Sequence, residues 1–157
     1  HESFGTNWRL TEMQSTIGRY QLTQMKGWTK KRTDNANKIL SACRSFDFIR
    51  VPEEPENIEH AYYKCYVFIE PNKLPNNVSR DTIIADITAK GVPCFSGSCS
   101  EVYKEKAFDN TTYLPKEPLV NAQKLGDISL MFLVHPTLTS EEINKTVSVI
   151  KEVFKDY

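Results

Sequence analysis

This chain has no excess charge of either sign, no long apolar run and no histidine pair at metal-binding spacing. Its 20 basic and 20 acidic residues cancel, which removes the electrostatic case for nucleic acid or an anionic membrane surface as a partner. No apolar run is longer than that of Leu130-Met-Phe-Leu-Val134, which is strand-sized and far short of the roughly 18–20 residues that cross a bilayer. No signal peptide is visible, and the first residue is His1 rather than Met. The expectation is a cytoplasmic protein whose original start has been lost. A length of 157 residues and a hydrophobic fraction of 39% suit a single domain with an ordinary core.

Several chemical signatures are missing as well. There is no Gly-rich phosphate loop: the nearest run, Gly97-Ser-Cys-Ser, lacks the lysine and the spacing. There is no Gly-x-Ser-x-Gly elbow. Of Cys43, Cys65, Cys94 and Cys99 only the last two are close, and no Cys or His nearby completes a zinc set. Reduced cysteines are expected, and no metal site. Nothing in the sequence orients His135 as a base for Cys94 or Cys99. Sequons at Asn77, Asn110 and Asn144 are chance matches in a chain without a secretory signal.

What is present is a run of clear element signals. Thr11-Glu-Met-Gln14 fits a capping box. Leu10, Met13, Ile17, Tyr20, Met25 and Trp28 follow as a loose helical stripe. Gly27 marks a kink or break, and a second helix runs from about Thr29 to Ser45 on Ile39, Leu40 and Cys43. Phe46 to Val51 reads as a short strand. Ala61 to Glu70 is the clearest strand, with Tyr63, Cys65, Val67 and Ile69 on one face and Tyr62, Tyr66 and Phe68 on the other beside Lys64. Two largely apolar faces predict a central strand covered on both sides.

Ser79 caps a helix to Lys90 that buries Ile83, Ile84 and Ile87, and Gly91 stops it. Val92 to Phe95 is a short strand, followed by the small polar segment Ser96-Gly-Ser-Cys-Ser100. A short helix is predicted over Pro118–Gly126 and a buried strand over Ile128–Val134. Thr139-Ser-Glu-Glu142 is another capping box, opening a helix on Ile143, Val147, Ile150 and Phe154. This order predicts an α+β fold, an α/β sandwich with helices over a small mixed or antiparallel sheet.

One further element carries chemistry. Asn7-x-Arg9 stands just ahead of a helix start, where an amide and a guanidinium are good donors toward a phosphate. The same residues also suit an ordinary loop.

Gly5-Thr-Asn-Trp-Arg-Leu-Thr-Glu-Met-Gln14, followed by Ile17-Gly18 and Gln21-Leu22, resembles a motif of the DegT/StrS-type sugar aminotransferases and the helix behind it. Further matches keep that family's order: Lys31-Arg32 with Asn35-Ala36, Ala61-Tyr-Tyr-Lys-Cys-Tyr-Val67, Lys90-Gly-Val-Pro93, Asn121-Ala-Gln-Lys-Leu125, and Val134-His-Pro-Thr-Leu-Thr-Ser-Glu-Glu-Ile143. The resemblance covers essentially the whole chain.

It implies the C-terminal domain of a dimeric fold type I aminotransferase using pyridoxal phosphate (PLP). Residues 1–45 would form the motif loop and helical segment leading from a missing large domain, and residues 46–157 the small domain. Asn7 would contact the PLP phosphate of the neighbouring subunit, with Arg9 beside it. The reaction implied moves an amino group, commonly from glutamate, onto a keto nucleotide-sugar for lipopolysaccharide, O-antigen or related sugars. The Schiff-base lysine and the pyridine-nitrogen partner lie upstream of this motif in the family. The chain alone is therefore expected to be inactive and to bind no PLP tightly.

Many members carry an Arg and then a His-Tyr pair shortly after the turn matching Gly91-Val92. Here the segment is Cys94-Phe-Ser-Gly-Ser-Cys-Ser-Glu-Val-Tyr103, a departure. Ser98, Glu101, Tyr103 and His135 remain as substrate-side candidates. The alternatives are a non-catalytic binding module with this half-fold, or a fold type I enzyme acting on a small amino acid. Loss of a large domain would also expose Trp8, Met13 or Trp28 and favour self-association.

Overall fold

A computed structural model of the chain describes residue 5 and residues 8–157. Four strands form one antiparallel sheet in the order β1-β2-β4-β3, where β1 is Ile49–Arg50, β2 Cys65–Ile69, β3 Cys94–Phe95 and β4 Ser129–Phe132. Four α-helices accompany it: α1 Glu12–Cys43, α2 Arg80–Ala89, α3 Val120–Ile128 and α4 Ser140–Phe154. The expected α+β architecture is present, with antiparallel pairing throughout.

Three of these helices start where the sequence says they should. Thr11 Oγ1 accepts from the Gln14 amide at 3.2 Å while Gln14 Oε1 accepts from the Thr11 amide at 3.0 Å. Ser79 with Thr82 and Thr139 with Glu142 build the same reciprocal caps. Each satisfies amides that the first helical turn leaves without partners.

The register sets what the two sheet faces carry. Cys65 opposes Phe132, which opposes Cys94; Val67 opposes Leu130 and Ile49 opposes Ile69. These side chains form the core with Ile39 and Cys43 of α1, Ile83 and Ile87 of α2, and Ile143 and Ile150 of α4. The edge of this core is aromatic. Phe46 and Phe48 meet the Phe154 ring at 5.2 and 5.4 Å, and Tyr157 lies against Phe48 at 6.4 Å. The opposite face carries Arg50, Phe68, Tyr66, Met131 and Phe95, and Arg50 lies 4.4 Å over the Phe68 ring.

Three expectations need correction. There is no break at Gly27: α1 is one helix of 32 residues, about 48 Å long. An interior glycine costs about 1 kcal/mol, whereas starting a second helix repeats a nucleation cost of about 4 kcal/mol. The strand at Phe46–Val51 shrinks to Ile49–Arg50, because a turn from Phe46 to Ile49 brings the two phenylalanine rings onto Phe154. Ahead of β2 the alternation is inverted: Tyr62 is buried and Tyr63 exposed. Tyr62 sits at φ 45° with its amide donating to His60 Nδ1 at 2.9 Å, so the chain turns before it becomes a strand.

Along α1 the environment changes. Asn35, Ala36, Ile39, Leu40, Ala42 and Cys43 are buried, and this half lies against α4. The other half, with Trp8 in the segment ahead of it, is solvated. Trp8 is 89% exposed, Met13 75% and Tyr20 70%, and Ile17, Leu22 and Met25 are exposed too. The expected exposure of Trp8 and Met13 is present, whereas Trp28 is half-buried. Among the described residues, no helix is long and apolar enough to cross a membrane.

This contrast gives a stability prediction. Phe154→Ala removes a ring that is 1% exposed and should lower the unfolding free energy by about 3–5 kcal/mol. Ile17→Ala on the solvated half of α1 should stay within about 0.5 kcal/mol. Urea unfolding followed by circular dichroism reads both.

Candidate functional site

The segment after β3 cannot run away from the sheet, because its backbone is stapled to the outer face. Gly97 has φ +98°, and a Cβ there would lie 2.4 Å from Tyr66 Cε1. Only glycine permits both the conformation and the approach. The Tyr66 hydroxyl accepts from the Ser98 amide at 3.1 Å, and Ser129 Oγ donates to the Ser96 carbonyl at 2.6 Å. On the far side, a Cβ on Gly126 would meet Ser100 Oγ at 2.2 Å, so α3 and this loop pack backbone to side chain.

Three of the four substrate-side candidates come together here. The Ser98 hydroxyl accepts from Lys64 Nζ at 3.2 Å and lies 3.4 Å from the Tyr66 hydroxyl. Glu101 accepts from the Tyr103 hydroxyl at 2.5 Å and from Lys104 Nζ at 2.9 Å. The Tyr103 oxygen in turn accepts the Leu119 amide at 3.3 Å, which ties the loop to the start of α3. These bonds hold the Glu101 carboxyl below its ordinary range, the Tyr103 hydroxyl first and Lys104 second. The same contacts raise Tyr103 and Lys104.

A polar cavity of about 350 Å³ opens beside the loop, lined among others by Arg80, Ser96, Ser98, Ser100, Glu101 and Asp127. Arg80 is partly committed: Nη1 donates to the Gly126 carbonyl at 2.8 Å, and Nε pairs with Asp81 at 2.5 Å. A second cavity of about 550 Å³ shares Lys104 with the first and continues over Tyr103, Leu114, Pro115 and Pro118.

His135 lies apart from this cluster. It follows the C-terminal end of β4, exposed, with Nδ1 2.7 Å from Thr137 Oγ1. Its carbonyl and that of Val134 accept from the buried Asn35 amide, both at 3.4 Å. Arg9 is exposed in the segment leading into α1. Asn7 lies outside the described residues.

Sequence reasoning missed Lys64 and Tyr66 as neighbours of Ser98, and Arg80 and Asp127 as cavity walls. Lys64 left one signal, as the only charged side chain inside the apolar run Ala61–Ile69. The Arg80–Gly126 contact joins residues far apart in the chain and leaves none.

The thiols divide by burial. Cys99 is exposed, while Cys43, Cys65 and Cys94 are buried together. Burial pushes Cys65 and Cys94 up to about 12 and Cys43 higher still, the other two thiols adding to the effect on Cys43. Cys94 is therefore no thiolate nucleophile at neutral pH. Among the described residues no cluster of three or more His, Cys, Asp or Glu is placed to hold a metal.

The described residues do not by themselves fit PLP. Arg9 supplies a cation near the start of α1, but Thr11 already takes the Gln14 amide and Glu12 adds a carboxylate to that first turn. Neither cavity beside the loop includes Arg9.

A model of the DegT/DnrJ/EryC1/StrS aminotransferase family matches residues 1–151. The solved structure of an aminotransferase from Psychrobacter cryohalolentis is 54% identical, with a TM-score of 0.90, over 99% of this chain and 42% of that one. The lipopolysaccharide biosynthesis protein RfbH of Salmonella typhimurium is 21% identical over 98% of this chain and 35% of its own length. The dTDP-3-amino-3,4,6-trideoxy-alpha-D-glucose transaminase of Streptomyces venezuelae is 22% identical over 97% of this chain and 38% of its own length. The chain thus spans less than half the length of each of these relatives.

Two outcomes are expected of this site. In native protein at pH 8 an aromatic disulfide reagent should modify Cys99 alone, with Cys43, Cys65 and Cys94 reacting only after denaturation; counting released thiolate with and without denaturant decides. The Leu119 amide resonance should hold steady from neutral pH down to about pH 5. It should move only as pH falls below the ordinary carboxylate range, where Glu101 protonates and its bond from Tyr103 is lost. Glu101 has a lowered folded pKa, so its clasp is complete above the unfolded value and fails as pH falls through the folded one. Glu101→Gln should abolish that acid step.

Proposed function

The chain belongs to the DegT/DnrJ/EryC1/StrS aminotransferase family, and on that premise we propose that it is the C-terminal part of a PLP-dependent aminotransferase. The parent enzyme moves an amino group, from glutamate, onto a keto nucleotide-sugar that feeds lipopolysaccharide, O-antigen or a related glycan. The observation that carries this reading is the 54% identity to a solved aminotransferase across 99% of the chain. The matching order of short motifs from Gly5 to Ile143 supports it.

In this reading residues 1–45 lead from the large domain and residues 46–157 are the small domain. The solvated half of α1 rests on the large domain or on the second subunit of a cytoplasmic homodimer. PLP supplies an electron sink for the amino transfer when it is bound. This chain would contribute polar groups around it: the Asn7 amide and the Arg9 guanidinium toward the cofactor phosphate, and the Ser98 and Tyr103 hydroxyls and the Glu101 carboxylate toward the substrate. His135 remains a candidate of the same kind, at the other end of β4. The Schiff-base lysine belongs to the preceding part of the parent protein. This chain by itself therefore has no transaminase activity and holds no PLP tightly.

The test is an absorbance spectrum of the complete gene product with PLP, before and after glutamate. A visible band that glutamate bleaches is expected, with neither band nor bleaching from residues 1–157 alone. A well-folded full-length protein without the band would overturn the enzyme reading in favour of a non-catalytic module. A band bleached only by another small amino acid would redirect the donor.

A further inference from the structure

Lys64 is a half-buried cation with no carboxylate at salt-bridge distance among the described residues. Its contacts are neutral: the Ser98 hydroxyl at 3.2 Å and the Tyr63 ring at 5.7 Å. Glu54, which lines the small cavity of about 70 Å³ beside Lys64, is engaged by the Tyr62 hydroxyl. The carboxylates of the loop cavity are Glu101, held by Tyr103 and Lys104, and Asp127.

Donors converge around Lys64. An ammonium has three N–H groups, and one goes to Ser98. Because Lys64 donates to Ser98 Oγ, that hydroxyl is free to aim its own proton outward. The Tyr66 hydroxyl accepts from the Ser98 amide at 3.1 Å and donates to Ser98 Oγ at 3.4 Å, so it braces Ser98 from behind and leaves the Ser98 proton as the outward donor. A partly desolvated cation beside a hydroxyl donor that is fixed by two bonds is the composition of an oxyanion site.

We propose that Lys64 and Ser98 form a phosphate subsite on the outer face of the sheet, with Tyr66 positioning Ser98 and Gly97 holding the loop close enough for the three to converge. Under the function proposed above, on which this assignment of the ligand rests, the group bound is a phosphate of the nucleotide-sugar's diphosphate. A carboxylate of the amino donor would use the same donors, and the test separates the two.

Residues 1–157 labelled with ¹⁵N are titrated at constant ionic strength with inorganic pyrophosphate and, separately, with glutamate. Saturable movement of the Ser98 amide is expected with pyrophosphate and not with glutamate. Lys64→Met should weaken the pyrophosphate affinity at least tenfold, Ser98→Ala severalfold, and Lys64→Arg should restore most of it; a dispersed amide spectrum certifies each variant as folded. No saturable shift at Ser98, or equal affinity in folded Lys64→Met, would overturn the subsite. Movement with glutamate alone would overturn its assignment to phosphate. Pyrophosphate binding needs no amino transfer. Lys64-dependent binding in a parent protein that never bleaches with glutamate would therefore sink the enzyme reading and leave the subsite standing.

Discussion

All four residues of β4 are buried, so both faces of this small sheet have to be covered, and most of the architecture follows from that demand. On one face Leu130 and Phe132 are met by α1, α2 and α4. On the other, Met131 and Ser129 have no helical layer of comparable size over them. The segment after β3 does the covering instead, lying flat on Tyr66 and accepting a hydrogen bond from Ser129. A loop used as a lid over apolar surface must satisfy its own backbone polar groups. The Tyr66 hydroxyl and Ser129 Oγ are the side chains that help it do so. The candidate site thus grows out of a packing requirement of the strand beneath it.

Helix α1 shows the opposite case, a strong local signal with only half of its burial supplied. Cooperativity carries the helix through Gly18 and Gly27, since each further residue adds a hydrogen bond without a new nucleus. Its later half is anchored by Ile39, Leu40 and Cys43 against α4 and the sheet. The earlier half keeps a stripe of Met13, Ile17 and Tyr20 in water. An apolar stripe at helical spacing with nothing against it is the mark of a surface made to be covered.

How far the sequence reveals this depends on the range of the interaction involved. Caps and stops are decided within four residues, so Thr11, Ser79, Thr139 and Gly91 could be read directly. A period-two pattern located β2, a continuous apolar run located β4 and a period-3.6 pattern located α4 for the same reason. The errors occur where a distant partner overrides a local pattern. The turn at Phe46–Ile49 serves Phe154, and the inverted alternation at Tyr62 serves a hydrogen bond to His60 and burial against Leu40 and Glu54. For the site, Ser98, Glu101 and Tyr103 were legible as polar residues on one loop. Lys64 and Arg80 were not, because antiparallel pairing and the packing of α3 bring them there.

Backbone strain is distributed in a way that bears on function. Among the described residues four have positive φ. Gly91 merely ends α2, and Asn110 sits in a turn away from the loop cavity. The other two, Tyr62 and Gly97, lie one or two residues from Lys64 and Ser98. A left-handed tyrosine is uncommon and persists only when its surroundings over-determine it. Here the His60 ring nitrogen and the Glu54 carboxylate do so from opposite ends of the residue. The consequence is geometric: once Tyr62 has turned inward, β2 enters the sheet with Lys64 on the same side as Tyr66, and Gly97 lets the loop descend to meet both. Two uncommon conformations, in segments more than thirty residues apart in the chain, converge on one contact between an ammonium and a hydroxyl. A lysine–serine contact at the surface contributes about 1 kcal/mol or less. What holds these two conformations is therefore the burial and hydrogen bonding of Tyr62 and the seating of the loop on Tyr66 and Ser129, and the Lys64–Ser98 pair is placed as their consequence.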